Sequence, residues 1–184
     1  NNTFLGSLAG DATTTGGNNT AVGRTALSAN TTASNNTAVG YASLLVNTTG
    51  ATNTAVGGEA LYDNTTGSEN TAVGYKSLWN NTTAGANTAL GHNAMYYTTT
   101  GANNVSIGQG SMFINSTGQK NVAVGNACLG LNTTGSNNVA MGILTAYQNT
   151  TGNANTCIGD EAGGDITTGS NNVALGANTA HYNT

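Results

Sequence analysis

The chain has 184 residues, of which Gly (27), Asn (30) and Thr (33) together make 90, while Asp, Glu, Lys and Arg make only 5%. A globular domain of ordinary composition is about one quarter charged, and here a formal net charge of -4 rests on seven acids against Arg24, Lys76 and Lys120. That excludes a nucleic-acid binder, which needs a basic stripe against the phosphates. With no run of about 18 apolar residues and no charged and then apolar leader ahead of the first repeat, the sequence predicts neither a transmembrane helix nor a signal peptide.

A glycine recurs every 17 residues without insertion or deletion, from Gly6 through Gly40, Gly57 and Gly74 to Gly176, and defines eleven coils. Four residues before it stands Asn in every coil, including Asn36, Asn53 and Asn70, and eight after it stands Thr or Ser, including Thr48, Thr65 and Thr82. The unit reads N-[TV]-A-V-G-x-x-A-L-x-x-N-T-T-G-x-x. A rigid period with fixed columns means that each unit takes one conformation and stacks on its neighbours. Residues 1–184 are thus a single array, and because it begins and ends inside a repeat and lacks an initiator methionine, it is expected to be a segment of a longer fibrous chain.

Within a unit, the first predicted element is a strand. Asn, Thr and Gly are poor helix formers, and the residues before the glycine alternate: Thr or Val three before and Val, Leu, Ile or Met one before point one way, with Ala in eight coils between them. That opposite face admits only a small side chain. Because no Asn-Gly or Asp-Gly pair occurs, the strongest hairpin signal is missing and parallel stacking is predicted, with the glycine turning the corner. A second strand is expected to carry the small residue three after the glycine, as at Ala60, and the large apolar one next to it, as at Leu61. The N-T-T-G stretch makes the remaining turn. The fold class is therefore all-β, a parallel β-solenoid of eleven 17-residue coils, and at about 4.8 Å per coil the rod is roughly 50 Å long.

About three inward apolar side chains per coil make a lean core, and a second apolar column stands five residues after the glycine: Leu45, Tyr62, Trp79, Tyr96, Phe113 and later Tyr147. If the Leu column faces inward, these face away from it, and an exposed aromatic stripe of that length is a candidate interface or ligand-contact surface. Three chains around one axis are the leading expectation. The first coil (Ala9, Gly10, Asp11) and the tenth (Ala162, Gly163, Gly164) lose the large apolar pair, which hints at capping.

The stretch N-[TV]-A-V-G-x-x-A, as in Asn121-Val122-Ala123-Val124-Gly125 and Asn172-Val173-Ala174-Leu175-Gly176, resembles the head repeats of trimeric autotransporter adhesins, whose signature runs S-V-A-I-G-x-x-A. The longer form through Asn-Thr-Thr-Gly looks like the shaft repeats of phage-like tail fibre proteins that end in an intramolecular chaperone of the endosialidase kind. The resemblance covers the whole array. It implies a left-handed β-roll, trimerised through small and apolar columns, in an extracellular stalk or adhesive head on a cell surface or virion. The adhesin heads repeat at a shorter period, so the cross-section of a 17-residue coil must differ from theirs.

Catalysis needs convergent, unlike groups, and the columns offer none, so no enzyme and no cofactor are expected. His92 and His181 occupy different columns and read as surface or interface substitutions. Asp160, Glu161 and Asp165 form the one acidic cluster, which either holds a weak cation such as calcium or, as expected, is a solvated end coil. The glycines lack the following helix that a phosphate loop requires. Twelve Asn-x-Ser/Thr sequons, among them Asn30, Asn47, Asn64, Asn132 and Asn149, arise from the repeat itself, and a glycan fits sterically if the turn is at the surface. The Asn column reads as a ladder of stacked amides. Cys128 and Cys157 stand in small-residue columns and read as buried substitutes for Ala.

The function expected from these residues is a non-catalytic structural and adhesive rod of an extracellular fibre, self-associated as a homotrimer, with a host-surface glycan or protein as its further partner. A subunit that stacks end to end into a filament is the alternative. A monomeric ice- or glycan-binding solenoid is the next, resting on the ranks of Thr, although one of each Thr pair is expected to point inward.

Overall fold

The computed structural model describes residues 1–180. Each coil contributes one three-residue strand: β1 (Thr3–Leu5), β2 (Thr20–Val22), β3 (Thr37–Val39), β4 (Thr54–Val56), β5 (Thr71–Val73), β6 (Thr88–Leu90), β7 (Val105–Ile107), β8 (Val122–Val124), β9 (Val139–Met141), β10 (Thr156–Ile158) and β11 (Val173–Leu175). They form one parallel sheet in sequence order, each strand paired to the next in a register of 17, as in Thr37↔Thr54, Ala38↔Ala55 and Val39↔Val56. The molecule is a parallel β-solenoid. Among the described residues there is no helix long and apolar enough to cross a membrane.

The expected second strand is absent, and its place is taken by a turn. In a strand, neighbouring side chains face opposite sides, yet Ala60 and Leu61 are both fully buried. The backbone alternates instead between the right- and left-handed regions: the residues two and four after the column glycine have positive φ, 57° at Glu59 and 52° at Leu61. This backbone sends N–H groups in both directions along the rod. Ala42 donates back to Arg24 O (3.0 Å), whereas Leu44 and Val46 donate forward to Ala60 O (3.0 Å) and Tyr62 O (3.1 Å). Each left-handed non-glycine residue costs about 1–2 kcal/mol, which the bonds to both neighbouring coils offset.

Three columns fill the interior. They are the Ala in the centre of each strand, the small residue three after the glycine, and the Leu or Met next to it, all inaccessible in the middle coils. Three side chains per coil point inward, but Ser43, Ser77, Ser106 and Ser111 are among them, so some coils have fewer than the three apolar ones expected. Where one column shrinks, another grows. Gly10 lacks a side chain, and Phe4, in the Ala column, lays its ring where a Cβ on Gly10 would stand. Gly163 lacks one in the tenth coil, where Cys157 Sγ and Ile166 Cδ1 close over the site, with Ile166 in a column that otherwise carries Asn, or Thr at Thr13 and Thr98. The two coils that lose the large apolar pair therefore keep a filled core.

The column glycine is required twice over. At Gly57 φ is 135°, outside what side chains tolerate, and a Cβ there would lie 2.6 Å from Gly74 O in the next coil. Successive corners pass too closely for any other residue.

Candidate functional site

Two amide ladders hold the turns. In the first, Asn36 Oδ1 accepts the backbone N–H of Asn53 (2.9 Å) and Asn36 Nδ2 donates to Gly50 O (2.9 Å), and the pattern repeats with Asn53 and Asn70 (2.9 Å). In the second, Asn64 Nδ2 donates to Asn47 Oδ1 (2.8 Å) and to Gly67 O (2.9 Å), and Asn81 Nδ2 to Asn64 Oδ1 (2.7 Å). The ladders meet, because Gly67 O also accepts Asn53 Nδ2 (2.8 Å). A buried amide costs free energy unless its hydrogen bonds are made, and a fixed column and a fixed pitch supply them wherever the column holds Asn in successive coils.

These ladders decide the sequons that stand in the second amide column. Asn30, Asn47, Asn64, Asn132 and Asn149 are fully buried, and the Nδ2 that a glycan would need is committed to the ladder or, at Asn30, to Thr13 Oγ1 and Ala33 O. The turn is not open to a glycan at these positions.

The first Thr of each pair also acts structurally. Thr48, Thr65 and Thr82 are half-buried and their Oγ1 groups donate to the carbonyls of Thr65 (3.1 Å), Thr82 (2.9 Å) and Thr99 (3.2 Å). The second Thr, as at Thr49, Thr66 and Thr83, is exposed. Neither points into the core, contrary to expectation, because the inward slots of this turn are taken by Asn and Gly.

The aromatic column lies outside the core as expected, with its residues half-buried. Tyr62, Trp79, Tyr96 and Phe113 stack on one another with ring centroids 5.4, 5.3 and 5.4 Å apart and interplanar angles of 15°, 4° and 21°. Coil pitch sets that spacing, and offset stacking is the favoured arrangement of ring quadrupoles. The consequence is that six of the eight faces of these four rings are occupied by other rings of the column. Trp79 Nε1 donates to Glu59 Oε2 (3.1 Å), and Lys76 Nζ pairs with the same carboxylate at 3.6 Å while lying 5.2 Å from the Tyr75 ring centroid. Tyr147 stands apart from the stack, since its neighbours in the column are Gly130 and Gly164.

A second surface was not singled out in the sequence. The strand residue before each glycine points outward, away from the buried Ala, and forms a line of Val, Leu, Ile and Met along all eleven coils. Exposure is 36% at Val56, 45% at Leu90 and 67% at Leu5, while Val22, Val39, Val73 and Val124 are half-buried. Beside it the outward Thr column turns to Val at Val105, Val122, Val139 and Val173. Neither column contains a charged residue. The signal was present in the alternation itself, where the small Ala marks the inward face.

The remaining residues of interest stay apart. His92 is exposed and stacks on Tyr75 (5.7 Å), and His181 lies outside the described residues. Asp160, Glu161 and Asp165 share the tenth coil, but among the described residues no group of three His, Cys, Asp or Glu is placed to hold a metal ion. Cys128 and Cys157 are both buried free thiols. Burial pushes the Cys128 thiol up to about 12 and raises that of Cys157 as well. Comparison with protein-family models, with curated proteins and with solved structures finds no match to this chain.

Proposed function

We propose that the chain is the shaft or head of an extracellular fibre, a non-catalytic rod that associates in parallel with two further copies of itself. The observation that carries this reading is the outward apolar column. Single apolar residues on a surface need no explanation, but a continuous uncharged stripe along the full length of a rod does. Its repeat is one coil. Over eleven coils the surface that matches it side chain for side chain is another array of the same pitch, and the resemblance to adhesin heads and tail fibre shafts supports three chains. The aromatic column, with its faces already used, serves mainly to stiffen each rod.

A scaffolding role also suits the columns of like residues, in which no metal-binding group of three His, Cys, Asp or Glu is found among the described residues. Location outside the cell or on a virion, and adhesion to a host glycan or protein, rest on the resemblance alone. The test is a pair of substitutions in the stripe, Leu90→Asp with Met141→Asp, read by light scattering together with circular dichroism. Dissociation to a single chain with an unchanged β spectrum is expected. An unchanged mass would mean that the stripe is not the contact.

A further inference from the structure

From a ring that lies flat on the side of the aromatic stack we infer a binding site for a neutral β-linked disaccharide, running along the rod over Tyr97, Asn80 and Asp63. These residues stand six after the column glycine in the sixth, fifth and fourth coils, beside the stacked column and in a different column from the outward strand stripe. Both faces of the Tyr96 ring are taken, one by Trp79 and one by Phe113. Tyr97 meets Tyr96 with centroids 4.6 Å apart at 75°, and Phe113 with centroids 5.3 Å apart at 86°. Tyr96 has only its edge to offer, so in this edge-to-face pair Tyr97 supplies the face. A ring perpendicular to rings that stack along the rod lies flat against the side of the stack. Its inner face covers ring edges and its outer face meets solvent, with Tyr97 43% exposed. Other exposed tyrosines differ: Arg24 lies over Tyr41 (5.9 Å), and the Tyr75 ring carries Lys76 (5.2 Å) and His92 (5.7 Å).

Asn80 and Asp63 continue the line of Tyr97 at one and two coil pitches, and both are half-buried. Burial raises the Asp63 carboxyl above its usual value, and among the described residues no cation or hydrogen-bond donor offsets it. The Asn80 side chain likewise makes no hydrogen bond among the described residues. A Tyr face packs on the apolar C–H face of a pyranose, an amide both donates to and accepts from its hydroxyls, and a carboxylate accepts from them. From the Tyr97 ring to the Asp63 carboxylate is about 10 Å, two coil pitches, which an extended β-linked disaccharide spans and which neither a single sugar nor a small cation held on the ring can reach across. The Asp63 charge opposes acidic sugars. Such a site gives the adhesive part of the proposed function a place, yet it is built from one chain and does not rest on chain association.

The experiment is saturation-transfer nuclear magnetic resonance on the intact chain, with glucose, cellobiose, N,N′-diacetylchitobiose, maltose and glucuronate as probes. A disaccharide on an open surface of this kind is held with a Kd of about 1 mM. Saturable binding of cellobiose or diacetylchitobiose is expected, at least about fivefold tighter than glucose, with bent maltose and charged glucuronate weaker. Tyr97→Ala should weaken it at least about fivefold, whereas Tyr97→Phe, which keeps the flat ring, should not. Asp63→Ala should bring the disaccharide down to the affinity of glucose, and Tyr41→Ala, elsewhere on the rod, should bind as the parent does, all with the parent's β spectrum. Failure of both β-linked disaccharides to bind, glucose bound equally well, or binding that survives Tyr97→Ala would overturn the assignment. Chain association is read separately, by the mass of the Leu90→Asp with Met141→Asp chain, so the two readings fail independently.

Discussion

Thr98 interrupts the second amide ladder. Its Oγ1 and the Oδ1 of Asn81 are buried without a hydrogen-bond partner, and Asn115 Nδ2 on the far side bonds only to Gly118 O (3.0 Å). Asn at this position has both a donor for Asn81 and an acceptor for Asn115. Thr98→Asn should therefore raise stability by about 1 kcal/mol, visible as a Tm higher by about 2–4 °C; an unchanged or lower Tm would show that the gap is satisfied in some other way. The column glycine makes the opposite case. Gly57→Ala combines a φ of 135° with a carbonyl 2.6 Å from the new Cβ, and should cost more than about 2 kcal/mol, measured as the shift in urea midpoint. The first ladder and the glycine corner were legible in the sequence, because a single residue type held through every coil leaves few physical causes. The break at Thr98 was not, since its meaning depends on knowing that the column is buried.

At the scale of the element, each coil is a unit that contacts only its neighbours, so the fold should tolerate the loss of a whole coil and not the loss of one residue. Deleting residues 51–67 joins Gly50 to Ser68 and keeps every column in register. A cooperative transition and a β spectrum like the parent's are expected. Deleting Ala55 alone would put outward residues in the core and should split or broaden the transition; equal behaviour of the two deletions would refute the columnar account. The thiols test the core. Because burial raises the Cys128 thiol to about 12 in the folded chain, against about 8.5 when exposed, its contribution is complete below about pH 8.5 and is lost as pH rises toward 12. The urea midpoint should fall over that range by more in the native chain than in Cys128→Ala, and parallel curves would contradict the burial. One strand per coil could be read from the alternation around Ala. The second was misread, because small and large side chains also alternate along a backbone that switches between right- and left-handed φ, a conformation that Leu, Met and Glu rarely take and that composition does not announce. The aromatic column was located correctly, but its self-stacking follows from the coil pitch and the side-chain rotamers, which no single coil's sequence displays.

For the whole molecule, the account joins a rod with a thin, well-bonded core to an uncharged stripe that runs its length. A rod of this kind can be stable alone through its ladders, so association is driven by the stripe and should weaken as the hydrophobic effect weakens on cooling. The filament alternative makes a different demand, growth along the axis with no limit of mass, and the monomeric reading demands that the stripe remain in water. Sedimentation equilibrium over a range of protein concentrations separates the three. The account predicts a single species at three times 18.2 kDa; a mass that stays at 18.2 kDa at every concentration, or one that climbs without a plateau, would contradict it.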